Sequence, residues 1–166
     1  MGYDYTKKLK PVGQADTTAC WAASISWWTQ AMSFHNKRRG QDQLEMMTKF
    51  SYLVAGNGTM PLSGIRRVCE SAEIRITLEF VTPDYLKSYE DIATPMLIVF
   101  NYPQVGGTHM NVIFNMKGTT VACMEPYYPL QSSTNLRTGK YIRRQLSFFC
   151  NSPEIGIGYL PLADSL

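Results

Sequence analysis

The chain has 166 residues, of which 45% are hydrophobic and 17% charged, and its formal net charge is +3. This composition is typical of a globular chain with an apolar core and excludes a disordered or fibrous protein. No apolar run approaches the roughly 18 residues needed to cross a bilayer, so we expect no membrane partner. The basic pairs, Arg143-Arg144 among them, are scattered. We interpret them as solvated and expect no nucleic-acid partner.

The start of the chain and its cysteines bear on the compartment in which it folds. Residues 1–10, MGYDYTKKLK, lack an apolar segment, so we expect no signal peptide in this chain. The four cysteines, Cys20, Cys69, Cys123 and Cys150, contain no CxxC pair, and we predict neither a metal nor a cofactor. We expect residues 1–166 to form a single domain that folds in a reducing environment, with the last three cysteines in packing roles.

Helical patterns dominate the first half of the chain. Residues 20–32 are apolar on nearly every side, which predicts a central buried helix. Asp16, Thr17 and Thr18 precede it and are candidate N-caps. Two further segments show apolar residues near helical spacing. The predicted helices, in chain order, are 20–32, 41–54 and 61–73.

Strand patterns dominate the second half. Residues 74–80 alternate apolar and polar positions, and 95–102 form a continuous apolar run, so we predict a half-buried strand followed by a central one. Residues 108–116 and 119–125 flank Lys117-Gly118, which predicts a β-hairpin with its turn at that pair. The remaining segments are a short helix or turn at 82–92 and strands at 140–149 and 155–161. Helices followed by antiparallel strands indicate an α+β fold with segregated halves.

Two residues far apart in sequence have the chemistry of a nucleophile and its base. Cys20 opens the central helix, where unpaired backbone N–H groups and the helix dipole favour a thiolate. His109 begins a predicted strand directly after Gly106-Gly107 and Thr108. A neighbouring imidazole would complete a Cys–His pair. The other histidine, His35, lies in a polar loop, and we expect it to be exposed to solvent.

A third group must hold the imidazole in the correct tautomer. Glu125 ends the predicted hairpin, and Asn111 follows His109 by two residues, on the same strand face. With a two-residue turn at Lys117-Gly118, Glu125 lies opposite Met110 and faces away from His109. A longer turn or a β-bulge brings it opposite the histidine. We favour Glu125 over Asn111, and this prediction requires an irregular hairpin.

The spacing of these residues resembles that of papain-like cysteine peptidases. Gln14 stands six residues before Cys20, CWAAS opens a long apolar helix, and the distant GGTHMNVIF hairpin ends in an acid–proline pair. The resemblance covers about residues 10–130 and is to the compact bacterial branch related to bacteriocin-processing peptidases and papain-like effector toxins. It implies Cys20 as nucleophile, His109 as general base and acid, Glu125 as orienting residue and Gln14 as oxyanion-hole donor.

The chain departs from the family pattern at two places. Thr17-Thr18-Ala19 stands where the plant enzymes have a cysteine, a glycine and a small residue, so the disulfide implied there is absent. Glutamate stands at the orienting position, which in the family is usually asparagine or aspartate.

The resemblance implies a cysteine peptidase that cleaves amide bonds of a protein or peptide substrate through a Cys-His-Glu triad and an acyl-enzyme. It further implies a toxin or effector domain of a secreted bacterial polypeptide, acting in the cytoplasm of a target cell and neutralised by an immunity protein. Two alternatives stay open. One is a deamidase, transglutaminase or peptidoglycan amidase with the same triad. The other is a catalytically dead papain-like binding module, against which the intact Gln14, Cys20 and His109 argue.

Overall fold

Six strands form one antiparallel sheet in the computed structural model, which describes residues 3–130 and 136–160. The helices are α1 (Cys20–Met32), α2 (Gln43–Lys49), α3 (Leu62–Cys69) and α4 (Pro83–Lys87). The strands are β1 (Thr77–Val81), β2 (Met96–Tyr102), β3 (Gly107–Lys117), β4 (Thr120–Glu125), β5 (Lys140–Gln145) and β6 (Ile155–Tyr159). Their order in the sheet is β1-β6-β2-β3-β4-β5. The α+β class is therefore confirmed. That residues 1–166 form one domain stays a prediction.

Helix α1 has the predicted bounds and is the buried central helix. Its indole groups are anchored to the sheet side of the molecule, because Trp28 Nε1 donates to the Pro95 carbonyl at 2.8 Å and Trp27 Nε1 to the Tyr141 hydroxyl at 3.0 Å. The predicted N-caps are wrong. The N-cap is Ala19, which has no side-chain acceptor, so the first N–H groups of the helix donate no hydrogen bond to a capping side chain.

The sheet carries a hydrophobic cluster on each face. The α1 side contains Trp27, Met110 and Val112, and the other side contains Phe100 and Phe149. Alternate residues of β2 and β3 enter the two clusters, as the two-residue period of a strand requires. Within the described residues, no helix is long and apolar enough to cross a membrane.

Several elements are shorter than their sequence patterns indicate. Helix α2 starts at Gln43 because Asp42 caps it, accepting from the amides of Leu44 and Glu45. Strand β1 starts at Thr77, after Arg75 with a φ of 53°. The predicted strand 140–149 ends at Gln145 and continues as a short 3₁₀ helix. Residue 161, the end of the predicted strand 155–161, lies outside the described residues.

The β3–β4 hairpin is irregular, and its turn lies one residue later than predicted. Lys117 pairs with Thr120, so the turn is Gly118-Thr119, and a bulge interrupts the pairing between Ile113 and Asn115. Beyond the bulge Val112 pairs with Met124.

The bulge determines which face Glu125 occupies. Continued by one residue, the pairing beyond the bulge sets Glu125 across from Asn111 and diagonal to His109, instead of directly opposite either Met110 or His109. Without the bulge, the pairing that starts at Lys117 and Thr120 would set Glu125 across from Val112, on the other face of the sheet.

Candidate active site

Cys20 and His109 line the same cleft, which encloses about 330 Å³. Cys20 is the first residue of α1, is partly exposed and is a free thiol. One wall comes from the loop before α1 and from the region of α3, and the other from the start of β3 and the segment before it. The lining residues are Thr17, Thr18, Cys20, Trp21, Thr59, Met60, Pro61, Leu62, Ile65, Val105, Gly106, Gly107, Thr108, His109, Met110 and Tyr127.

Gly106 gives the cleft its turn into β3. Its φ of 82° lies in the left-handed region, which a side chain disfavours. The chain then enters β3 at Gly107 and reaches His109 two residues later. Backbone geometry therefore favours glycine at position 106.

His109 and Glu125 form a buried hydrogen-bonded pair. His109 Nε2 donates to Glu125 Oε2 at 2.5 Å, and each residue is 2% exposed. The same carboxylate oxygen accepts the backbone N–H of Tyr127 at 3.0 Å. Because Nε2 is directed at Glu125, Nδ1 is the ring nitrogen left to face Cys20. The structure thus brings together the three residues that the sequence analysis proposed as nucleophile, base and orienting group.

Aromatic rings surround the imidazole of His109. The Phe100 ring lies edge-on to it, with centroids 5.7 Å apart, and the Tyr127 ring also meets it edge-on at 6.2 Å. Tyr102 packs against it with a centroid distance of 5.4 Å. These contacts restrict rotation of the ring and exclude water from its faces.

The charges of the pair support each other. Burial lowers the pKa of His109, but hydrogen bonding to Cys20 and Glu125 outweighs it and raises that pKa to about 9. Burial raises the pKa of Glu125, but the His109 hydrogen bond and charge, the Tyr127 N–H and the charge of Arg144 together bring it below its usual value. The site therefore favours an imidazolium beside a carboxylate.

Asn111, the other candidate for the third position, is directed elsewhere. It is fully buried, its amide nitrogen donates to the Met110 carbonyl at 2.9 Å, and its oxygen accepts from Arg144 Nη1 at 2.6 Å. Arg144 in turn lies 3.3 Å from Glu125 Oε1.

Arg144 was not predicted as a site residue, and the prediction that it is solvated is wrong. The side chain is only 10% exposed, whereas the neighbouring Arg143 is exposed. The two-residue period of β5 was the available signal, since it sends one member of any adjacent pair inward.

Gln14 is not among the described residues that line the cleft. Its side chain is 1% exposed, and its amide nitrogen donates to the Asp16 carbonyl at 2.8 Å, while its Oε1 has no hydrogen-bond partner within the described structure. Its backbone N–H donates to the Pro126 carbonyl at 3.0 Å, which ties the Gln14 loop to the residue after Glu125.

Gln43, a second residue that was not predicted from the sequence, contacts the backbone on both sides of Gln14. Its Nε2 donates to the Gly13 carbonyl at 3.0 Å, and its Oε1 accepts the N–H of Ala15 at 2.8 Å. One side-chain amide therefore holds the backbone on either side of Gln14. No sequence signal marks such a contact, because it joins α2 to a loop about thirty residues earlier.

The other three cysteines and the other histidine are not among the residues that line the cleft. Cys69 and Cys123 are buried free thiols, and Cys150 is a half-buried one. His35 is exposed, as predicted, with its Nε2 2.5 Å from the Tyr5 hydroxyl. In the part of the chain that the structure describes, no group of three or more His, Cys, Asp or Glu side chains is arranged to hold a metal ion.

Fold comparison agrees with the class that the sequence indicates: the chain has the α+β fold of papain-like peptidases. A solved structure with this fold is the peptidase domain of Streptococcus ComA, a bifunctional ABC transporter involved in a quorum-sensing pathway. The two share 14% sequence identity at a TM-score of 0.62, over 92% of this chain and 98% of that one. No protein-family model and no curated protein sequence matches the chain.

Proposed function

We propose that the chain is a cysteine peptidase in which Cys20 attacks the scissile amide carbonyl, His109 transfers the proton and Glu125 orients His109. The observation that carries the proposal is the buried 2.5 Å hydrogen bond from His109 to Glu125, in a cleft that also holds a cysteine at a helix start. The fold shared with a peptidase domain supports the same reaction class.

The resting site in this mechanism is a thiolate–imidazolium pair. With its pKa raised to about 9, His109 is protonated at neutral pH. The uncapped N-terminus of α1 presents backbone N–H groups and the positive end of its dipole to the sulfur of Cys20. Both features favour the ionised nucleophile.

Acylation proceeds by attack of the Cys20 sulfur on the carbonyl carbon. The C–S bond forms, the carbonyl oxygen becomes negatively charged, and His109 donates its proton to the departing amine as the C–N bond breaks. The backbone N–H of Cys20 is one donor for the oxyanion. The resemblance to papain-like peptidases, and not a position in the cleft lining, supports the second N–H of the Gln14 amide, the one not bonded to Asp16, as the other donor.

Deacylation returns the enzyme. His109, now neutral, accepts a proton from water as the water oxygen attacks the acyl carbon, and the Cys20 sulfur leaves to regenerate the thiolate–imidazolium pair. Glu125 keeps the imidazole in one orientation through both half-reactions.

The biological setting is proposed from the resemblance to the compact bacterial branch. In this proposal the chain is a toxin or effector domain of a secreted bacterial polypeptide. It acts on a protein or peptide substrate in the cytoplasm of a target cell, and an immunity protein binds and inhibits it.

Mass spectrometry of protein mixtures treated with the enzyme tests the reaction class. We expect new peptide termini that disappear with Cys20→Ala and with His109→Ala, while the circular dichroism spectrum of each variant stays unchanged. Cys150→Ala, a thiol outside the cleft, is the matched control and should cleave normally. Deamidated or cross-linked side chains without new termini would indicate one of the related acyl-transfer enzymes instead of a peptidase. Absence of any product would favour the binding module.

A further inference from the structure

The two oxygens of the Glu125 carboxylate have different surroundings. Oε2 accepts from His109 Nε2 at 2.5 Å and from the Tyr127 N–H at 3.0 Å. Oε1 receives no aligned hydrogen bond from the described residues and instead lies 3.3 Å from Arg144 Nη2 in an ion pair. A buried carboxylate requires such a countercharge, since desolvation otherwise favours its protonation.

Arg144 is held in place by four contacts that do not involve Glu125, one of which is a weak hydrogen bond from its Nη1 to the Cys123 sulfur at 3.6 Å. Its Nη1 donates to the Asn111 side-chain oxygen at 2.6 Å, and its guanidinium lies 4.1 Å from the ring centroid of Phe148 and 5.7 Å from that of Tyr102. Asn111 is itself fixed by its bond to the Met110 carbonyl. The cation is therefore preorganised beside Glu125.

We propose that Arg144 is a positioning residue of this site, which acts through Glu125 and is itself held by Asn111. In this arrangement Asn111 acts on the triad indirectly, because it fixes the position of Arg144. Arg144 keeps the Glu125 carboxylate ionised and directed at His109, and Glu125 orients the imidazole. The inference rests on the proposed function for its catalytic meaning, but its geometry and its principal test do not require a known substrate.

Several charged or titratable groups of the described residues lie around Glu125. They are His109 of β3, Cys123 of β4, and Arg144 and Lys140 of β5, while Cys20 of α1 interacts with His109. Lys140 pairs with Glu125 in the strand register, but its ammonium lies over the Tyr128 ring, 4.8 Å from the centroid. Of the described residues, His109 and Arg144 are the cationic partners in ion-pair contact with Glu125.

Nuclear magnetic resonance of the protein labelled with ¹⁵N-histidine tests the inference directly, because the chain has only two histidines. The His109 Nε2–H proton, in a short bond to a carboxylate, is expected far downfield and should disappear on acidification when Glu125 is protonated. In Arg144→Met the disappearance should move to higher pH, because loss of the cation raises the pKa of Glu125. Arg144→Lys should restore it toward the wild-type pH.

Arg143→Met is the matched control, since Arg143 is the exposed neighbour on the same strand. Its His109 resonance should titrate as in the wild type. If Arg144→Met does not fold, Arg144→Gln provides the same neutralisation with a polar side chain. A resonance that titrates identically in the wild type and in the neutral Arg144 variant would overturn the inference.

A double-mutant cycle adds the kinetic consequence. Arg144→Met should lower kcat/KM roughly tenfold, the scale of one weakened charge-assisted contact, and should cost little in a Glu125→Gln background. Equal losses in both backgrounds would show that Arg144 does not act through Glu125. If Arg144→Met alters the His109 titration but the protein cleaves no amide bond, the positioning role of Arg144 is supported and the proposed peptidase activity is refuted.

Discussion

The four thiols of the chain differ in what surrounds them. Burial raises the pKa of Cys69 to about 12 and that of Cys123 to about 11, although Arg144 opposes the shift at Cys123. Burial also raises the pKa of Cys150. Cys20 alone among them stands at the start of α1 in contact with an imidazole whose pKa is raised. Since the thiolate is the reactive form, these surroundings predict that the other three thiols react more slowly than Cys20.

We therefore expect Cys20 to be the one cysteine that iodoacetamide alkylates rapidly near neutral pH. Peptide mapping after a brief treatment measures the labelling of each cysteine. In His109→Ala the labelling of Cys20 should slow, because the thiolate loses its cationic partner. Labelling of Cys69 or Cys123 as fast as that of Cys20 would contradict the assignment.

The orienting residue is tested by comparing substitutions at Glu125 and Asn111. Glu125→Gln should retain part of the activity, because its amide oxygen still accepts the Nε2 proton of His109, whereas Glu125→Ala leaves that proton without an acceptor and should lose more. Asn111→Ala should cost less than Glu125→Ala, because Asn111 contacts Arg144 instead of the histidine. Values of kcat/KM for the three variants decide the order. A larger loss of kcat/KM in Asn111→Ala than in Glu125→Ala would identify Asn111 as the orienting residue.

At the scale of elements, the central helix and the order of helices and strands were predictable, whereas the register of the hairpin was not. Residues 20–32 are apolar on nearly every side, which is the pattern of a buried helix. The run Val112, Ile113 and Phe114 breaks the apolar–polar alternation, but a central strand gives the same pattern as a bulge. The face of Glu125 was thus undetermined by sequence.

The contacts that support the candidate site residues could not be predicted from the sequence either. Arg144 of β5 reaches Glu125 of the neighbouring strand β4, and Gln43 of α2 reaches the loop residues Gly13 and Ala15. Each contact joins residues distant in sequence and uses a residue type that is usually on the surface. Chemistry-bearing residues such as Cys20 and His109 were predictable because helix starts and glycine turns have local patterns, but the residues that hold them have none.

The loop that carries Gln14 provides a prediction at this scale. Gln14→Ala should lower kcat roughly 10²–10³-fold with little change in KM, as expected for one lost oxyanion donor. Gln43→Ala should lower kcat in the same direction but less, because it releases the backbone on both sides of Gln14 and leaves the amide present. Gln41→Ala is the control, because the side-chain amide of Gln41 donates to the Arg39 carbonyl at 3.5 Å and not to the Gln14 loop in the described structure. An unchanged kcat in Gln14→Ala would assign the residue a structural role through its bond to Asp16.

For the molecule as a whole, the site depends on both faces of the sheet. Cys20 belongs to the helix packed on one face, while His109 and Glu125 point toward the other. The ion pair of His109 and Glu125 is buried at the level of the core. Ionisation of the site is therefore linked to the free energy of unfolding, not only to reactivity.

The sign of this linkage follows from the two pKa shifts. The pKa of folded His109, about 9, lies above its ordinary value of 6.5, so its contribution to stability is complete below pH 6.5 and is lost as the pH rises through about 9. The pKa of folded Glu125 is lowered from 4.5, so its contribution is present above that pH and is lost on acidification. The pair stabilises the fold most between these limits.

We expect the urea midpoint of the wild-type protein to fall between pH 6.5 and pH 9.5, and to fall less in His109→Ala, which lacks the titrating imidazole. The measurement is made in a reducing buffer so that the free thiols do not cross-link. His35→Ala is the matched control, because that histidine is exposed and far from Glu125 in the fold, and it should retain the wild-type slope. The titrating groups that do not interact with His109 are common to all three proteins, so their contributions cancel in the comparison. Parallel slopes for the wild type and His109→Ala would mean that His109 is not held as an imidazolium by Cys20 and Glu125, and the thiolate–imidazolium resting state would then be wrong.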